Sequence, residues 1–200
     1  MKVIGLTGPT GAGKTTVLAA LEELDCLPID CDRVYHRLLD TSPALVGELT
    51  DRFGRSILDS RGKLSRPALG RTVFGDPQAL LALNTIAHRY VRQEVAAQLD
   101  EARAAGRTGA VIDAIALIES GLCDLCAVTA AVLAPPEVRL RRIMARDGIS
   151  REYALARIQA QPPEEFYRAH CSIILENDGQ MPQSALREQV IRLFRPILQQ

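Results

Sequence analysis

The 200-residue sequence has no tryptophan, only three lysines and no excess of charge of either sign. Its 24 basic and 24 acidic residues balance, which gives no support to binding of nucleic acid or of an anionic membrane surface. It has no apolar run of about 18 residues, so no transmembrane helix is predicted. The first residues lack the layout of a signal peptide, and we therefore expect a cytoplasmic protein.

Cysteine and histidine are also sparse, and neither is arranged as a site. The five cysteines form no disulfide framework in a chain of this size. Cys123-x-x-Cys126 lacks a second pair, so we interpret these thiols as small buried residues rather than a metal or redox centre. The three histidines have no metal-ligand spacing. A length of 200 residues predicts one substantial core that carries insertions.

The most informative segment is Gly8-Pro-Thr-Gly-Ala-Gly-Lys-Thr15, which fits the phosphate-loop pattern G-x-x-x-x-G-K-S/T. The apolar run Val3–Thr7 before it reads as a strand, and the apolar residues after it recur at helical spacing. In this context glycines let the backbone approach an anion, and a helix N-terminus presents free N–H groups to it. Lys14 adds positive charge beside the β- and γ-phosphates, and the Thr15 hydroxyl can ligate Mg²⁺. The segment predicts binding of a nucleoside triphosphate.

Carboxylates follow the next two predicted strands. Leu27–Ile29 ends in Asp30 and Asp32, which point the same way if this segment is extended. Ligands of parallel α/β sheets bind at the carboxyl ends of strands, so Asp32 is a candidate catalytic base, with an N-cap as the alternative. Asp113, near the end of the predicted strand 110–115, occupies the place of a carboxylate that holds Mg²⁺ directly or through water; a helix cap is the alternative.

The rest of the sequence predicts two further segments, a helical insertion and a lid. Residues 33–103 are helical in pattern with no convincing strand, and by analogy such an insertion in small-molecule kinases carries the second substrate. After the predicted strand 127–133, Arg139, Arg142 and Arg146 share one helix face. We interpret this segment as a lid in which Arg142 and Arg146 close over the phosphates, the alternative being a solvated charged face.

The order of these segments resembles the dephospho-coenzyme A kinases over nearly the whole chain. The resemblance is carried by short matches spread along the sequence, which together are far more specific than the phosphate loop alone. They are Ile4-Gly-Leu-Thr-Gly8, Ile29-Asp-Cys-Asp32, Arg52-Phe-Gly54, Ile57-Leu58, Gly62-Lys-Leu64, Val73-Phe74, His88, Arg142-x-Met-x-Arg-Asp-Gly148, Gln161 and Glu176-Asn-Asp-Gly179.

The resemblance implies an α/β fold: a three-layer, nucleotide-kinase-like parallel sheet with a helical substrate-binding insertion and a helical lid. One domain is expected, with its core in residues 1–31, 105–136 and 171–200, the insertion at about 32–104 and the lid at about 137–170. The implied activity is ATP-dependent phosphorylation of the ribose 3′-hydroxyl of dephospho-coenzyme A, the last step of coenzyme A synthesis. The implied cofactors are ATP and Mg²⁺, and the implied state is a monomer or weak oligomer that binds neither nucleic acid nor membrane.

The resemblance also implies roles for individual residues. Asp32 would accept the proton of the 3′-hydroxyl, with Lys14 and Arg142 as the other catalytic residues. Mg²⁺ would be held by Thr15, with Asp32 or Asp113 through water. The residues expected to bind ATP are Gly8, Gly11, Ala12, Gly13, Lys14, Thr15, Thr16, Arg142, Arg146 and Asn177, the last in a turn near the adenine. Those expected to bind the acceptor are Thr7, Asp32, His36, His88 and Asp113.

The sequence departs from the family pattern in places, and two other functions are alternatives. The loop has Pro9-Thr10 where Gly-Ile is more usual, the segment 113–119 lacks a proline, Arg89 follows His88, and His36 replaces a common arginine.

The nearest alternative is another phosphate-loop kinase that acts on a nucleotide or small hydroxyl acceptor. A regulatory NTPase is a more remote one; for a GTPase, the N-K-x-D motif is absent because no lysine follows an asparagine.

Overall fold

A five-stranded sheet forms the centre of the computed structural model, which describes residues 1–199. The strands are β1 (Lys2–Thr7), β2 (Cys26–Asp30), β3 (Gly109–Asp113), β4 (Val128–Leu133) and β5 (Ile173–Glu176), in the order β2-β3-β1-β4-β5. The pairs β1–β3, β1–β4 and β4–β5 are parallel. The interior of β1 is buried on both faces, as expected for a strand covered by helices on both sides.

Nine α-helices lie within the described residues. They are α1 (Lys14–Glu22), α2 (Cys31–Thr41), α3 (Pro43–Phe53), α4 (Arg66–Val73), α5 (Pro77–Ala104), α6 (Pro136–Asp147), α7 (Arg151–Gln159), α8 (Glu164–His170) and α9 (Gln183–Leu198). Short 3₁₀ turns occupy Arg55–Ile57 and Leu122–Leu125. Several helix starts follow local rules: Ser42 and Ser65 accept backbone N–H bonds as N-caps, and each is followed by proline at N1 or N2. No helix in the described chain is both long and apolar enough to cross a membrane.

The chain divides into two compact units. The first comprises Met1–Ile29 and the chain from Leu99 onward, and it holds the whole sheet apart from the last residue of β2. Its main core packs α1 and α9 with the sheet around Ile4, Val17 and Phe194, all fully buried. A smaller cluster of Leu140, Ile143 and Ala154 joins α6 to α7 as a helical hairpin.

The second unit, Asp30–Gln98, contains α2, α3, α4 and most of α5. It has its own apolar core, in which Leu45, Leu49 and Ile57 are fully buried. The helical pattern predicted for residues 33–103 is therefore confirmed. A single antiparallel bridge between Leu58 and Leu64 closes the turn that links α3 to α4.

The expectation that Asp30 and Asp32 lie together on an extended segment is wrong. Helix α2 begins at Cys31, and Asp30 is its N-cap, because the Asp30 Oδ1 accepts the Arg33 N–H at 3.0 Å. Asp32 instead lies in the first turn of α2, where a carboxylate interacts favourably with the helix dipole. The predicted strand 110–115 ends earlier, at Asp113, and α8 was not predicted.

Candidate active site

The phosphate-loop segment connects β1 to α1 through a backbone that only glycine adopts easily. Gly8 has φ +135°, and a Cβ there would lie 2.3 Å from the Val132 carbonyl oxygen of β4. Gly13 has φ +104°, and a Cβ there would lie 2.3 Å from the Asn177 Nδ2. Both the torsion and the lack of space therefore exclude a side chain at each position.

The loop turns free amides toward the start of α1. The Ala12 N–H donates to the Pro9 carbonyl, and the Thr16 N–H to the Gly13 carbonyl. Within residues 1–199, the N–H groups of Gly11, Gly13 and Lys14 donate to no protein acceptor. Such unpaired amides at the N-terminus of a helix, together with its dipole, form an anion site.

Lys14 and Asp113 are paired at this site. The parallel register places Leu6 of β1 beside Asp113, the last residue of β3, so this carboxylate lies next to the start of the loop. Lys14 Nζ is 2.8 Å from Asp113 Oδ1, and about a fifth or less of each side chain is exposed. Asp113 Oδ1 is buried, and within the described residues its contact with the Lys14 ammonium is an ion pair without hydrogen-bond geometry. The carboxylate therefore holds the Lys14 ammonium beside the loop and keeps acceptor capacity for a further ligand.

Arg142 and Asn177 hold the loop through its carbonyl groups. Arg142 Nη1 donates to the carbonyls of Gly11 at 3.2 Å and Ala12 at 3.1 Å, and its Nη2 donates to Asn177 Oδ1 at 3.0 Å. The buried Asn177 donates in turn from Nδ2 to the Ala12 carbonyl at 2.8 Å. Arg142 thus lies at the loop, as a phosphate-binding arginine would, whereas a contact of Asn177 with adenine stays a prediction.

Two residues that hold the loop were missed as site residues. Arg139 is buried and donates to the Thr10 carbonyl, and Gln161 accepts the Thr10 N–H. Arg139 lies three residues before Arg142, so helical spacing places both on one face of α6. This spacing was the sequence feature that could have identified Arg139 as a site residue. Gln161 appeared only as one of the short matches to the kinase family.

Arg146 is not brought to the loop. Its guanidinium makes two hydrogen bonds with Asp147, at 2.7 and 3.0 Å, and Arg157 donates to the same carboxylate. The hydrogen bonds from Arg146, which have the largest effect, and from Arg157 hold the pKa of the exposed Asp147 carboxyl below its usual range. The expected contact of Arg146 with ATP therefore stays a prediction.

The other predicted ligands are placed as follows. The hydroxyl of Thr7, at the end of β1, donates to the Ile115 carbonyl at 3.0 Å, and Thr15 is exposed at the start of α1. In the second unit, Asp32 is exposed on α2, as is His36, whereas His88 is half-buried on α5.

The cysteines do not form part of this site. Mainly because of desolvation, the pKa of Cys126 is raised to about 12 and that of Cys26 to about 11. The part of the chain that the structure describes contains no group of three or more His, Cys, Asp or Glu residues placed to hold a metal ion. These thiols are therefore protonated at neutral pH and poor nucleophiles.

Comparison with known proteins identifies what the chain is similar to. A family model described as dephospho-CoA kinase matches residues 2–183. A dephospho-CoA kinase of Carboxydothermus hydrogenoformans is 35% identical over 195 residues, which cover 98% of this chain and 94% of the relative. The crystal structure of a Thermus thermophilus protein matches with a TM-score of 0.82 at 34% identity, covering 98% of this chain and 97% of that one. A Campylobacter jejuni dephospho-CoA kinase matches in fold, with a TM-score of 0.71 at 24% identity and coverage of 100% and 98%.

Proposed function

The chain belongs to the dephospho-CoA kinase family, and we propose that it transfers the γ-phosphoryl group of ATP to the ribose 3′-hydroxyl of dephospho-coenzyme A. The single observation that carries the proposal is the family match over residues 2–183, because it includes the phosphate loop, Asp32 and both lid helices. A phosphate loop alone would not choose the acceptor.

The donor half of the reaction follows from the loop. Its free amides bind the phosphates, and Lys14 adds a positive charge where negative charge accumulates on the β- and γ-phosphates. Arg142 lies against the loop carbonyls with donors left over, since its guanidinium carries five N–H groups. These fixed charges stabilise a phosphoryl transition state mainly by position, because the loose transition state needs little covalent help.

The acceptor half depends on Asp32. An alcohol attacks slowly while it keeps its proton, and a carboxylate within hydrogen-bond reach can accept that proton. As the 3′-oxygen bonds to the γ-phosphorus, the bond between that phosphorus and the β–γ bridging oxygen breaks, and ADP leaves. The exposed position of Asp32 at the start of α2 supports this role, since the carboxylate is accessible to an incoming hydroxyl.

A magnesium ion fits the side chains at the loop. Thr15 is exposed at the helix start, and the carboxylate of Asp113, whose Oδ1 pairs with the Lys14 ammonium at 2.8 Å, retains further acceptor capacity. Hydroxyl and carboxylate oxygens are the ligands that Mg²⁺ prefers. We propose that Thr15 would hold the ion directly, with Asp113 or Asp32 through water, and that the ion would supply positive charge to offset that of the phosphates.

The remaining assignments complete the proposal. We assign acceptor binding to residues of the helical unit, with His36 and His88 as candidates, because insertions of this kind carry the second substrate in related kinases. We expect the protein to act in the cytoplasm as a monomer or weak oligomer. Another phosphate-loop kinase activity, or a regulatory NTPase, is not favoured, because curated relatives that match nearly the whole chain are dephospho-CoA kinases.

A coupled assay of ADP release tests the function. ATP is supplied with dephospho-coenzyme A, with nucleoside monophosphates or with shikimate, and kcat/KM is compared between acceptors. We expect dephospho-coenzyme A to be preferred by orders of magnitude. Preference for any other acceptor would overturn the substrate assignment, and ADP release that does not depend on an acceptor would point to an NTPase.

A further inference from the structure

Arg139 on the first turn of α6 is a buried cation whose hydrogen bonds go to the phosphate loop. It is 7% exposed, and burial lowers the pKa of its guanidinium. Its Nε donates to the Thr10 carbonyl at 3.0 Å, and its Nη2 donates to Gln161 Oε1 at 2.8 Å. No carboxylate within residues 1–199 forms an ion pair with it. A buried charge without a counter-charge is costly, so the hydrogen bonds from Arg139 to Thr10 and Gln161 have to offset its desolvation.

Gln161 completes a closed ring with Arg139 and Thr10. Its Oε1 accepts the Thr10 N–H at 3.0 Å as well as the Arg139 guanidinium. Both polar groups of the Thr10 backbone are therefore bound, the carbonyl by Arg139 and the N–H by Gln161. Thr10 lies between Gly8 and Gly11, two loop residues with positive φ, so this ring restricts a segment that would otherwise have unusual backbone freedom.

The ring joins the loop to both ends of the α6–α7 hairpin. Arg139 is the fourth residue of α6, and Gln161 follows the end of α7 by two residues. Helix α6 also packs closely on the loop, since a Cβ at Gly11 would lie 2.9 Å from the Arg139 carbonyl oxygen and 3.1 Å from Ile143 Cγ1. The base of the hairpin is thus attached to the loop backbone at residue 10 by hydrogen bonds and at residue 11 by packing.

We propose that Arg139 and Gln161 are positioning residues for ATP, which act by fixing the Thr10 peptide and hence the direction of the phosphate-binding amides. This inference rests on the proposed function for its kinetic consequences, but the ring itself and its effect on nucleotide binding do not depend on the identity of the acceptor. Preorganised amides bind a triphosphate more tightly than amides that must first be ordered. Because the residues proposed to bind the acceptor do not include Thr10, Arg139 or Gln161, we expect binding of the acceptor to be unaffected.

Two substitutions and two matched controls test the ring. Gln161→Met and Arg139→Met remove the two partners of Thr10, the first at nearly constant side-chain volume and the second with an unbranched apolar chain in place of the arginine stem. Gln159→Met, at the end of α7, and Arg141→Met, on α6, place the same changes at exposed positions nearby in the sequence. Gln161→Glu is the conservative variant, because a carboxylate oxygen can still accept both hydrogen bonds.

The kinetic readout is the KM for ATP compared with the KM for dephospho-coenzyme A. We expect Gln161→Met and Arg139→Met to raise the KM for ATP about tenfold, the effect of losing a partly buried hydrogen bond, with the acceptor KM unchanged. A fold that is merely weakened would lower the active fraction, and therefore kcat, and would leave both KM values as they were. Gln161→Glu should recover most of the ATP affinity, and the two controls should match the unmodified protein.

A second readout is independent of catalysis. Hydrogen exchange of the Thr10 amide, followed by NMR, should accelerate at least tenfold in Gln161→Met but not in Gln161→Glu or Gln159→Met. Unchanged Thr10 exchange, or an unchanged KM for ATP in Gln161→Met, would overturn the inference, and this holds even if Arg139→Met fails to fold. An unmodified protein that does not phosphorylate dephospho-coenzyme A would instead overturn the proposed function, while Thr10 exchange and ATP titration would still decide the role of the ring.

Discussion

Replacing Gly13 by alanine, alone and together with Asn177→Ala, tests the packing that shapes the phosphate loop. At Gly13, φ is +104°, and left-handed backbone costs an L-residue about 1–2 kcal/mol. The new Cβ would also lie 2.3 Å from Asn177 Nδ2. Asn177 would then move and lose its hydrogen bond to the Ala12 carbonyl, which contributes about 1 kcal/mol. The expected loss of stability for Gly13→Ala is about 2–3 kcal/mol.

The second substitution gives the sharper test. Asn177→Ala removes the bond to Ala12 and the bond from Arg142, about 2 kcal/mol together. In the double variant the new Cβ no longer meets the Asn177 side chain. Both single variants lose the same hydrogen bond to Ala12, so the sum of their effects counts that bond twice, whereas the double variant loses it once. The double variant should therefore be about 1 kcal/mol more stable than the sum of the two single effects predicts.

Urea unfolding measures these stabilities, and ATP titration calorimetry measures the accompanying loss of affinity. Gly148→Ala is the matched control, because Gly148 has φ +63° and no atom within 4 Å of a built Cβ. It should cost about 1 kcal/mol and combine additively with Asn177→Ala. If Gly13→Ala and Asn177→Ala were additive within about 0.5 kcal/mol, the close contact between Gly13 and Asn177 would be refuted.

Three further predictions concern the chemistry. Asp32→Asn should keep ATP binding and reduce turnover about 10²- to 10⁴-fold; near-normal turnover would remove Asp32 from the mechanism. Lys14→Ala should weaken ATP binding by about ten- to a hundredfold in calorimetry, whereas Lys63→Ala, which changes an exposed lysine, should not; equal affinities would count against the loop as the donor site. Because burial raises the pKa of Cys126 to about 12 and of Cys26 to about 11, neither thiol should react with iodoacetamide in the folded protein at pH 8; mass spectrometry showing alkylation of the buried Cys26 would contradict this.

Local sequence patterns predicted the strand, loop and helix of the phosphate-loop segment. The apolar run before Gly8, the loop glycines and the helical spacing after Lys14 are all short-range features, and the structure has a strand, a turn and a helix there. The order of the segments resembled the dephospho-coenzyme A kinases, and the family match confirms that resemblance. The helical insertion was predicted because residues 33–103 lack strand periodicity.

The contacts that hold the loop could not be predicted from local patterns. Thr10 and Gln161 are 151 residues apart, and Asn177 and Ala12 are 165 residues apart, so no periodicity connects them. Helical spacing placed Arg139 and Arg146 on one face of α6, but only packing decides that the first is buried and the second is exposed. The start of α2 was also missed, because Asp30 serves equally well as the end of a strand and as an N-cap.

Product analysis tests the central claim most directly. The protein is incubated with ATP, Mg²⁺ and dephospho-coenzyme A, and the product is identified by mass spectrometry and ³¹P NMR. We predict one added phosphoryl group per acceptor, located on the ribose 3′-oxygen, with one ADP formed for each coenzyme A. ADP formed without this product, or a phosphoryl group attached at another position, would contradict the account.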